Sequence, residues 1–163
     1  MIRLIAAIDA RRGLADDQGI PWQGRLPTDA AYFRSRTAEG LVVMGFTTYE
    51  EFAKPLHDRT NYVASRSTTT ALRPGFEVVA DLDRFLADHR DEVVWVIGGA
   101  AVYEAALPVA DELVITQLEH DFHCTKFFPQ FDHDFHVTSG SPAIDEGGIS
   151  FRFQTWRRNR AAE

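Results

Sequence analysis

Three short runs in this chain are apolar without interruption: LIAAI at residues 4–8, LVVM at 41–44 and VVWVI at 93–97. A strand with one wet face alternates apolar and polar side chains. A run with no polar side must be covered on both faces, as in a parallel sheet flanked by helices. Helical patterns and turn signals separate these runs, and that alternation indicates an α/β fold. The expected strands are Ile2–Ile8, Leu41–Met44, Asn61–Ala64, Glu77–Val79 and Val93–Ile97, with helices near Thr28–Ala38, Thr48–Phe52, Leu82–His89 and Ala100–Leu107. After Pro108 the character changes: ELVITQLE, DFHVTS and ISFRFQTW read as longer, more alternating strands that end the chain in β structure. No repeat, low-complexity tract or Gly/Ser linker divides the 163 residues, so 1–163 is expected to be one domain, long enough for a real core.

Charge and cysteine content narrow the function classes. A net charge of −7 argues against a nucleic-acid partner, and the Arg157, Arg158 and Arg160 cluster reads as a solvated tail. No apolar run approaches membrane-spanning length. The segment MIRLIAAIDARRG is too short in its apolar part for a signal peptide and reads as a first strand. Cys124 is the only cysteine, which excludes an internal disulfide and suits a reducing, cytoplasmic setting. His120, His123 and Cys124 lack a second spaced pair for a metal site, and Asp16-Asp17 lacks calcium-loop spacing. No nucleophile elbow is present.

The chemistry-bearing stretches lie at the predicted strand ends. In IPWQGRLPTDAAYF, Pro27 suits the first position of a helix, where its missing N–H costs nothing. Asp29 then falls in the first turn and shares a face with Phe33. It serves either as an acid favouring the positive end of the helix dipole or as a carboxylate held in an apolar cleft. Gly98-Gly99 in VVWVIGGAAVYEAAL, and Gly45 in LVVMGFTTYEEF, each sit between a strand and a helix whose free N–H groups suit a phosphate. A tight turn with close packing explains the glycine pair equally well. Thr47 or Thr48 is a candidate helix cap, with Glu50 or Glu51 a turn later. Ser65 and Arg66 end the strand in TNYVASRS, where they suit a phosphate monoester or simply an exposed loop.

In order, LIAAI, GIPW, LPTDAAYF, VVMGFTTYE, PLHDRTN, ASRS, VIGGAAVY, ITQLE and FFP resemble the dihydrofolate reductase family along essentially the whole chain. The resemblance implies a mostly parallel eight-stranded sheet flanked by four helices, with a cleft between two subdomains. It implies an oxidoreductase of one-carbon metabolism and tetrahydrofolate biosynthesis. The reaction is NADPH-dependent reduction of 7,8-dihydrofolate, hydride passing from nicotinamide C4 to pterin C6 and a proton to N5. A monomeric, cytoplasmic protein that binds antifolate inhibitors, no nucleic acid and no membrane is the matching expectation.

By the same resemblance Asp29 is the active-site acid, pairing with the 2-amino group and N3 of the pterin and favouring protonation at N5, with water as the immediate donor. Thr116 would hydrogen-bond to it. Ile5, Ala7 and Ile97 would line the pterin pocket, Ala30 would lie over the substrate, and Phe33, Phe52 and Leu56 would enclose the p-aminobenzoyl ring. Arg59 would grip the α-carboxylate through its planar fork. Ala15 through Trp22, including Ile20, match a mobile loop over the nicotinamide, with Ala7 and Tyr103 nearby. Gly45, Phe46, Thr47, Thr48, Ile97, Gly98, Gly99, Ala100, Ala101 and Val102 match the cofactor-binding turns. Ser65 and Arg66 match the 2′-phosphate site, and the Gly98–Gly99 bond is expected to be cis.

Several positions depart from the family pattern. Phe46 and Ala101 stand where basic residues are usual, which leaves Arg66 as the expected cation at the 2′-phosphate. Ala15, Ala30, the longer Gln23-Gly24-Arg25 segment and Cys124-Thr125-Lys126 differ as well. A same-fold pyrimidine reductase of riboflavin synthesis and a non-catalytic nucleotide-binding module are the competing readings. Asp29, Arg59 and the LPTD segment favour folate over the first, and Asp29, Trp22 and Thr116 argue against the second.

Overall fold

A computed structural model describes residues 1–67 and 71–161. The chain runs β1 (Ile2–Ile8), β2 (Gly13–Ala15), α1 (Pro27–Arg36), β3 (Leu41–Gly45), α2 (Phe46–Glu50), β4 (Asn61–Ala64), β5 (Phe76–Val79), α3 (Leu82–Asp88), β6 (Val94–Val96) and α4 (Ala100–Ala106). A short 3₁₀ turn at Leu107–Val109 leads to β7 (Glu112–Leu118), β8 (Lys126–Phe127), β9 (Phe135–Gly140), β10 (Ile144–Glu146) and β11 (Ile149–Arg158).

The main sheet has the order β10-β11-β7-β1-β6-β3-β4-β5, and β9 also pairs with β11. From β7 through β5 every neighbouring pair is parallel, while β11 is antiparallel to β7, β9 and β10. The main path thus holds the eight strands expected, and β9 joins it as a ninth strand beside β10. The physical reason is local: β9 and β10 share one edge of β11, and the Ser141-Pro142-Ala143 segment divides them. Proline has no N–H to give to a ladder. The β2–β8 ribbon and β10 are elements that the apolar pattern did not announce.

Both faces of the parallel strands are buried, as the uninterrupted apolar runs require. Leu4, Ala6, Ile8, Val43, Val94, Val96, Leu113 and Ile115 point to one face, under Phe85 and Leu86 of α3 and Val102, Tyr103 and Ala106 of α4. Ile5, Val42, Met44, Val63, Trp95, Ile97 and Val114 point to the other. There they meet Tyr49 of α2 and the half-buried Tyr32 and Phe33 of α1. No residue of α1 is fully buried, so this helix lies against the sheet less closely than the others.

Two expectations are corrected. The α2 helix begins at Phe46, directly after Gly45, so Thr47 and Thr48 lie inside its first turn and no side chain caps it. The C-terminal arginines are only partly a solvated tail. Arg157 donates to the buried Glu112 at 2.7 Å, and Arg158 donates to the Ala110 and Leu107 carbonyls. Arg3 reaches the other Glu112 oxygen at 3.0 Å, so two guanidinium groups offset the burial of that acid.

The loop after β1 is organised by Asp9, which is almost wholly buried. Its carboxylate accepts backbone N–H bonds from Arg11, Gly13 and Phe122 at 2.7–3.0 Å. Burial alone would raise its pKa. The three N–H donors and the Cys124 thiol outweigh that and hold it below the ordinary value. A side chain at Gly13 would stand 2.6–2.7 Å from Cys124 Cβ and the Asp9 oxygens, so the close approach requires glycine. Asp9→Asn should place an amide donor among N–H donors and cost about 1.5–3 kcal/mol near pH 7. Because the native pKa is depressed, the parent's advantage is present above pH ~4 and is lost as pH falls through the native value. Urea denaturation at pH 7 and across the acid range checks both the size and the direction of the loss.

Candidate active site

Parallel strands side by side bring the residues at their carboxyl ends to one rim of the sheet. Ala7 pairs in register with Thr116, and Gly45 with Ala64. The Gly45 N–H donates to the Gly98 carbonyl at 2.7 Å, joining the turn after β3 to the turn after β6. This rim gathers Ile5 and Ala7 from β1, Gly45 and Phe46 after β3, Ser65 and Arg66 after β4, Ile97 to Gly99 after β6, and Thr116 from β7.

The acid lies across the rim from the sheet. Leu26 precedes α1 without a side-chain cap, Pro27 opens the helix, and Asp29 falls in its first turn, as expected. Thr116 donates its hydroxyl to Asp29 Oδ1 at 2.7 Å, the expected contact. Burial raises the pKa of Asp29, the Thr116 bond acts against that rise, and the negative charge of Glu146 adds to it. The group is a carboxylate of enhanced basicity in a largely apolar setting. Asp29 thus sits in the first turn, where the helix dipole favours an acid, and is partly desolvated there.

Ile5, Ile97, Phe33, Phe52 and Leu56, expected to line the pterin and ring pockets, belong to one apolar cluster together with Phe46, while Ala7 lies against another. Trp22 packs in a second cluster with Leu26, Leu118 and Phe151, and Ala7 and Ile20 lie against it. Its ring meets Phe122 at 5.2 Å. Ala30 is exposed on α1. The half-buried Arg59 donates through Nε to the His57 carbonyl and through Nη1 to the carbonyl and hydroxyl of Thr37. Among the described residues its Nη2 makes no hydrogen bond, so one edge of the planar fork is left for a ligand.

The turn after β6 has a cis Gly98–Gly99 bond, as the resemblance implies. Gly98 has φ 126°, a conformation that only glycine adopts without strain. Side chains at Gly98 and Gly99 would meet Thr48 Oγ1 at 3.5 and 3.6 Å, and one at Gly98 would meet the Tyr103 hydroxyl at 3.3 Å. Thr48, the glycine pair and Tyr103 thus surround one point. Tyr103 is buried and donates to the Ile5 carbonyl at 2.6 Å, and burial raises its phenol so that it remains the donor. Neither α2 nor α4 has a side-chain cap, so their first N–H groups face the rim without one. Thr47, Ala101 and Arg66 are exposed, Ala100 and Ser65 are half-buried, and Val102 is buried. Ala15 lies in the β2–β8 ribbon and accepts from the Thr125 N–H.

His120, His123 and Cys124 do not converge. His120 accepts from Ser150 N, His123 is exposed, and Cys124 is buried beside Asp9 with its thiol raised to about 11 by burial first and by Asp9 next. The neighbour that sequence reading missed is Glu146. It touches the segment beside Asp29 from 118 positions away, a distance no local pattern spans.

Residues 1–158 match the family model for dihydrofolate reductase. The chain is 37% identical over 131 residues to the dihydrofolate reductase of Bacillus subtilis (strain 168), covering 80% of this chain and 76% of that protein. It is 35% identical over 164 residues to dihydrofolate reductase type 3 of Salmonella typhimurium, covering 98% and 99%. A solved dihydrofolate reductase from Enterococcus faecalis, complexed with NADP(H) and RAB-propyl, superposes with a TM-score of 0.85 at 24% identity, over 98% of this chain and 97% of that one. That likeness shows the fold.

The raised pKa of Asp29 has a consequence for stability. Its ionised form is disfavoured in the native state, so its penalty grows as pH climbs from the unfolded value, near 3.9, to the native one, and is full above that. Asp29→Asn should therefore raise the thermal midpoint at pH 8 by roughly 2–5 °C and leave it nearly unchanged at pH 4. Calorimetric scans of the ligand-free protein at the two pH values check the sign.

Proposed function

The chain belongs to the dihydrofolate reductase family, and we propose that Asp29 and its surroundings carry that family's reaction here. The reaction is the NADPH-dependent reduction of 7,8-dihydrofolate to 5,6,7,8-tetrahydrofolate. The observation that carries the assignment of the site is the Asp29–Thr116 pair. It presents a basic carboxylate at the carboxyl ends of parallel strands, the usual position for a ligand crevice in an open α/β sheet.

Asp29 binds the pterin through its 2-amino group and N3, a planar two-point match to a carboxylate. Among the described residues its Oδ2 has no hydrogen-bond partner, so it can take one of those bonds outright. Thr116 fixes the rotation of the carboxylate. Ile5, Ile97, Phe33, Phe52 and Leu56 supply the apolar walls, and Arg59 holds the α-carboxylate with its free edge. The negative charge of Asp29 raises the proton affinity of the bound pterin at N5, and water delivers the proton. Trp22 and the segment around Ile20 exclude bulk solvent from that side.

The residues present fit the dinucleotide. Gly45, Gly98 and Gly99 keep side chains away from the rim, Thr48 offers a hydroxyl there, and the N-termini of α2 and α4 lack caps. When bound, NADPH supplies the hydride. Orientation of the two reactants within one cleft is the protein's main contribution. Tyr103 lies near the nicotinamide site and holds the Ile5 carbonyl, which lines the pterin pocket, and Ser65 and Arg66 take the 2′-phosphate. Antifolate inhibitors compete for the pterin pocket. The protein works as a cytoplasmic monomer, with residues 1–163 as one functional domain and neither nucleic acid nor membrane as partner.

Purified protein should oxidise NADPH only when dihydrofolate is present, read as the loss of absorbance, and folded protein without that activity overturns the assignment. Asp29→Asn should lower the rate near neutral pH by roughly 10²–10⁴-fold, with partial recovery at lower pH where solution protonation of the substrate substitutes for the acid.

Cofactor preference follows from Phe46. Its ring packs on Tyr49 at 5.4 Å, and Arg73 is committed to the Tyr49 and Phe52 carbonyls, leaving Arg66 as the cation for the phosphate. Arg66→Ala should raise the NADPH Michaelis constant by about one to two powers of ten and leave NADH nearly unaffected. An unchanged NADPH/NADH ratio of kcat/KM would show that Arg66 does not read the 2′-phosphate.

A further inference from the structure

The β10–β11 hairpin reaches the head of the active-site helix. Its turn, Gly147-Gly148, has φ of 58° and 79°, the pattern of a two-residue type I′ hairpin in which glycine is favoured at both positions. Glu146 precedes the turn and pairs with Ile149, which is 2% exposed. A short turn and a buried partner strand leave the Glu146 backbone little freedom. Its Oε1 accepts from the Thr28 backbone N–H at 2.9 Å, and its Oε2 accepts from the Thr28 hydroxyl. Arg25 adds a longer contact, from Nη2 to the Gly147 carbonyl at 3.4 Å.

We infer that Glu146 is a positioning residue for the reductase reaction: it clamps the first turn of α1 through Thr28 and keeps a second negative charge beside Asp29. The inference rests on the reading of Asp29 as the pterin-binding acid. The first turn of α1 has N–H groups that Leu26, at its N-cap, cannot satisfy with a side chain. Glu146 supplies that cap from a distant strand, where the helix dipole favours its charge. Asp29 is the next residue after Thr28, so fixing one fixes the backbone of the other.

The charge has an effect that a neutral cap would lack. The groups facing Asp29 are the Thr116 hydroxyl from β7, the Tyr32 phenol one turn along α1, and Glu146 from β10. Arg36 bears on Tyr32, and Arg25 is directed to the hairpin carbonyl. Among the described residues Glu146 is therefore the negative charge that acts on Asp29, and it adds to burial in making that carboxylate basic. Like charge nearby favours the protonated form of every group in the cluster, bound pterin included. Removing it should weaken the hold on the proton that the reaction needs at N5.

The test is Glu146→Gln, which keeps a hydrogen-bond acceptor and removes the charge. The rate of dihydrofolate reduction should begin to fall at a pH lower by roughly 0.3–1 unit than in the parent, with the low-pH plateau nearly unchanged. A carbon-13 carboxyl titration of Asp29 in the ligand-free protein should move in the same direction. Glu146→Asp keeps the charge but draws it back, and should shift both measurements less. If E146Q does not fold, the E146D titration decides. An Asp29 titration that stays at the parent value in a folded Glu146 variant, with only thermal stability reduced, would overturn the inference and leave Glu146 a cap. Because the titration needs no substrate, it separates this inference from the assignment of the reaction, which the parent's activity decides.

Discussion

A parallel strand covered on both faces can present chemistry only where it ends. In this chain β1, β6 and β3 are such strands, with Leu4, Val43 and Val96 on one face and Ile5, Val42 and Ile97 reaching the other. Every group that a ligand could meet must therefore come from the turns at one rim or from a helix laid across it. That constraint makes the rim crowded with backbone. Gly45 illustrates it, because a side chain there would stand 2.9 Å from Val102 Cγ2. Glycine lets the turn after β3 approach α4 closely, and the N–H groups of both helices then open onto the same space.

The acid comes from outside the sheet for the same reason. A carboxylate on a fully covered strand would have no solvent on either side, and its charge would need partners on the spot, as Glu112 needs Arg3 and Arg157. Asp29 instead rides on a helix none of whose residues is fully buried, and it takes one hydroxyl from Thr116. It is partly desolvated and basic, whereas Glu112 is buried between two guanidinium groups. The contrast separates a site from a scaffold. Asp9 belongs with the scaffold, since three N–H donors hold its pKa down.

The sequence made the parallel strands legible because two-sided burial removes alternation, and it made the start of α1 legible because Pro27 marks it. It made β2 and β8 illegible: three and two residues carry no periodicity. The β9–β10 break depends on Pro142 within an edge whose pattern reads as an ordinary strand. Helix α2 was misplaced because two threonines look like caps, whereas the chain turns into the helix directly from Gly45. Among site residues, Asp29 and Thr116 were found through family motifs, and their contact joins residues 87 apart. Glu146 could not be found that way, since its partner Thr28 lies in a motif but Glu146 itself does not.

The two halves of the proposed site are built with unequal stiffness, and the difference follows from their partners. On the substrate side, two hydrogen-bonded pairs, Asp29 with Thr116 and Thr28 with Glu146, are joined through the backbone of α1 and tie it to β7 and β10. Arg59 is likewise fixed, with Nε and Nη1 both bonded to the protein. On the 2′-phosphate side, Phe46 has turned its position inward to Tyr49, and Arg66 stands exposed at the end of β4. An exposed guanidinium on a flexible stem must be ordered at the moment of binding, and salt screens it. Held groups lose little entropy when a ligand arrives, so the substrate side can spend its contacts on orientation. With Arg66 as the proposed contact, the phosphate side would give up part of its charge-assisted contact to ordering, which would make discrimination between the two nicotinamide cofactors the property most open to change by a single residue.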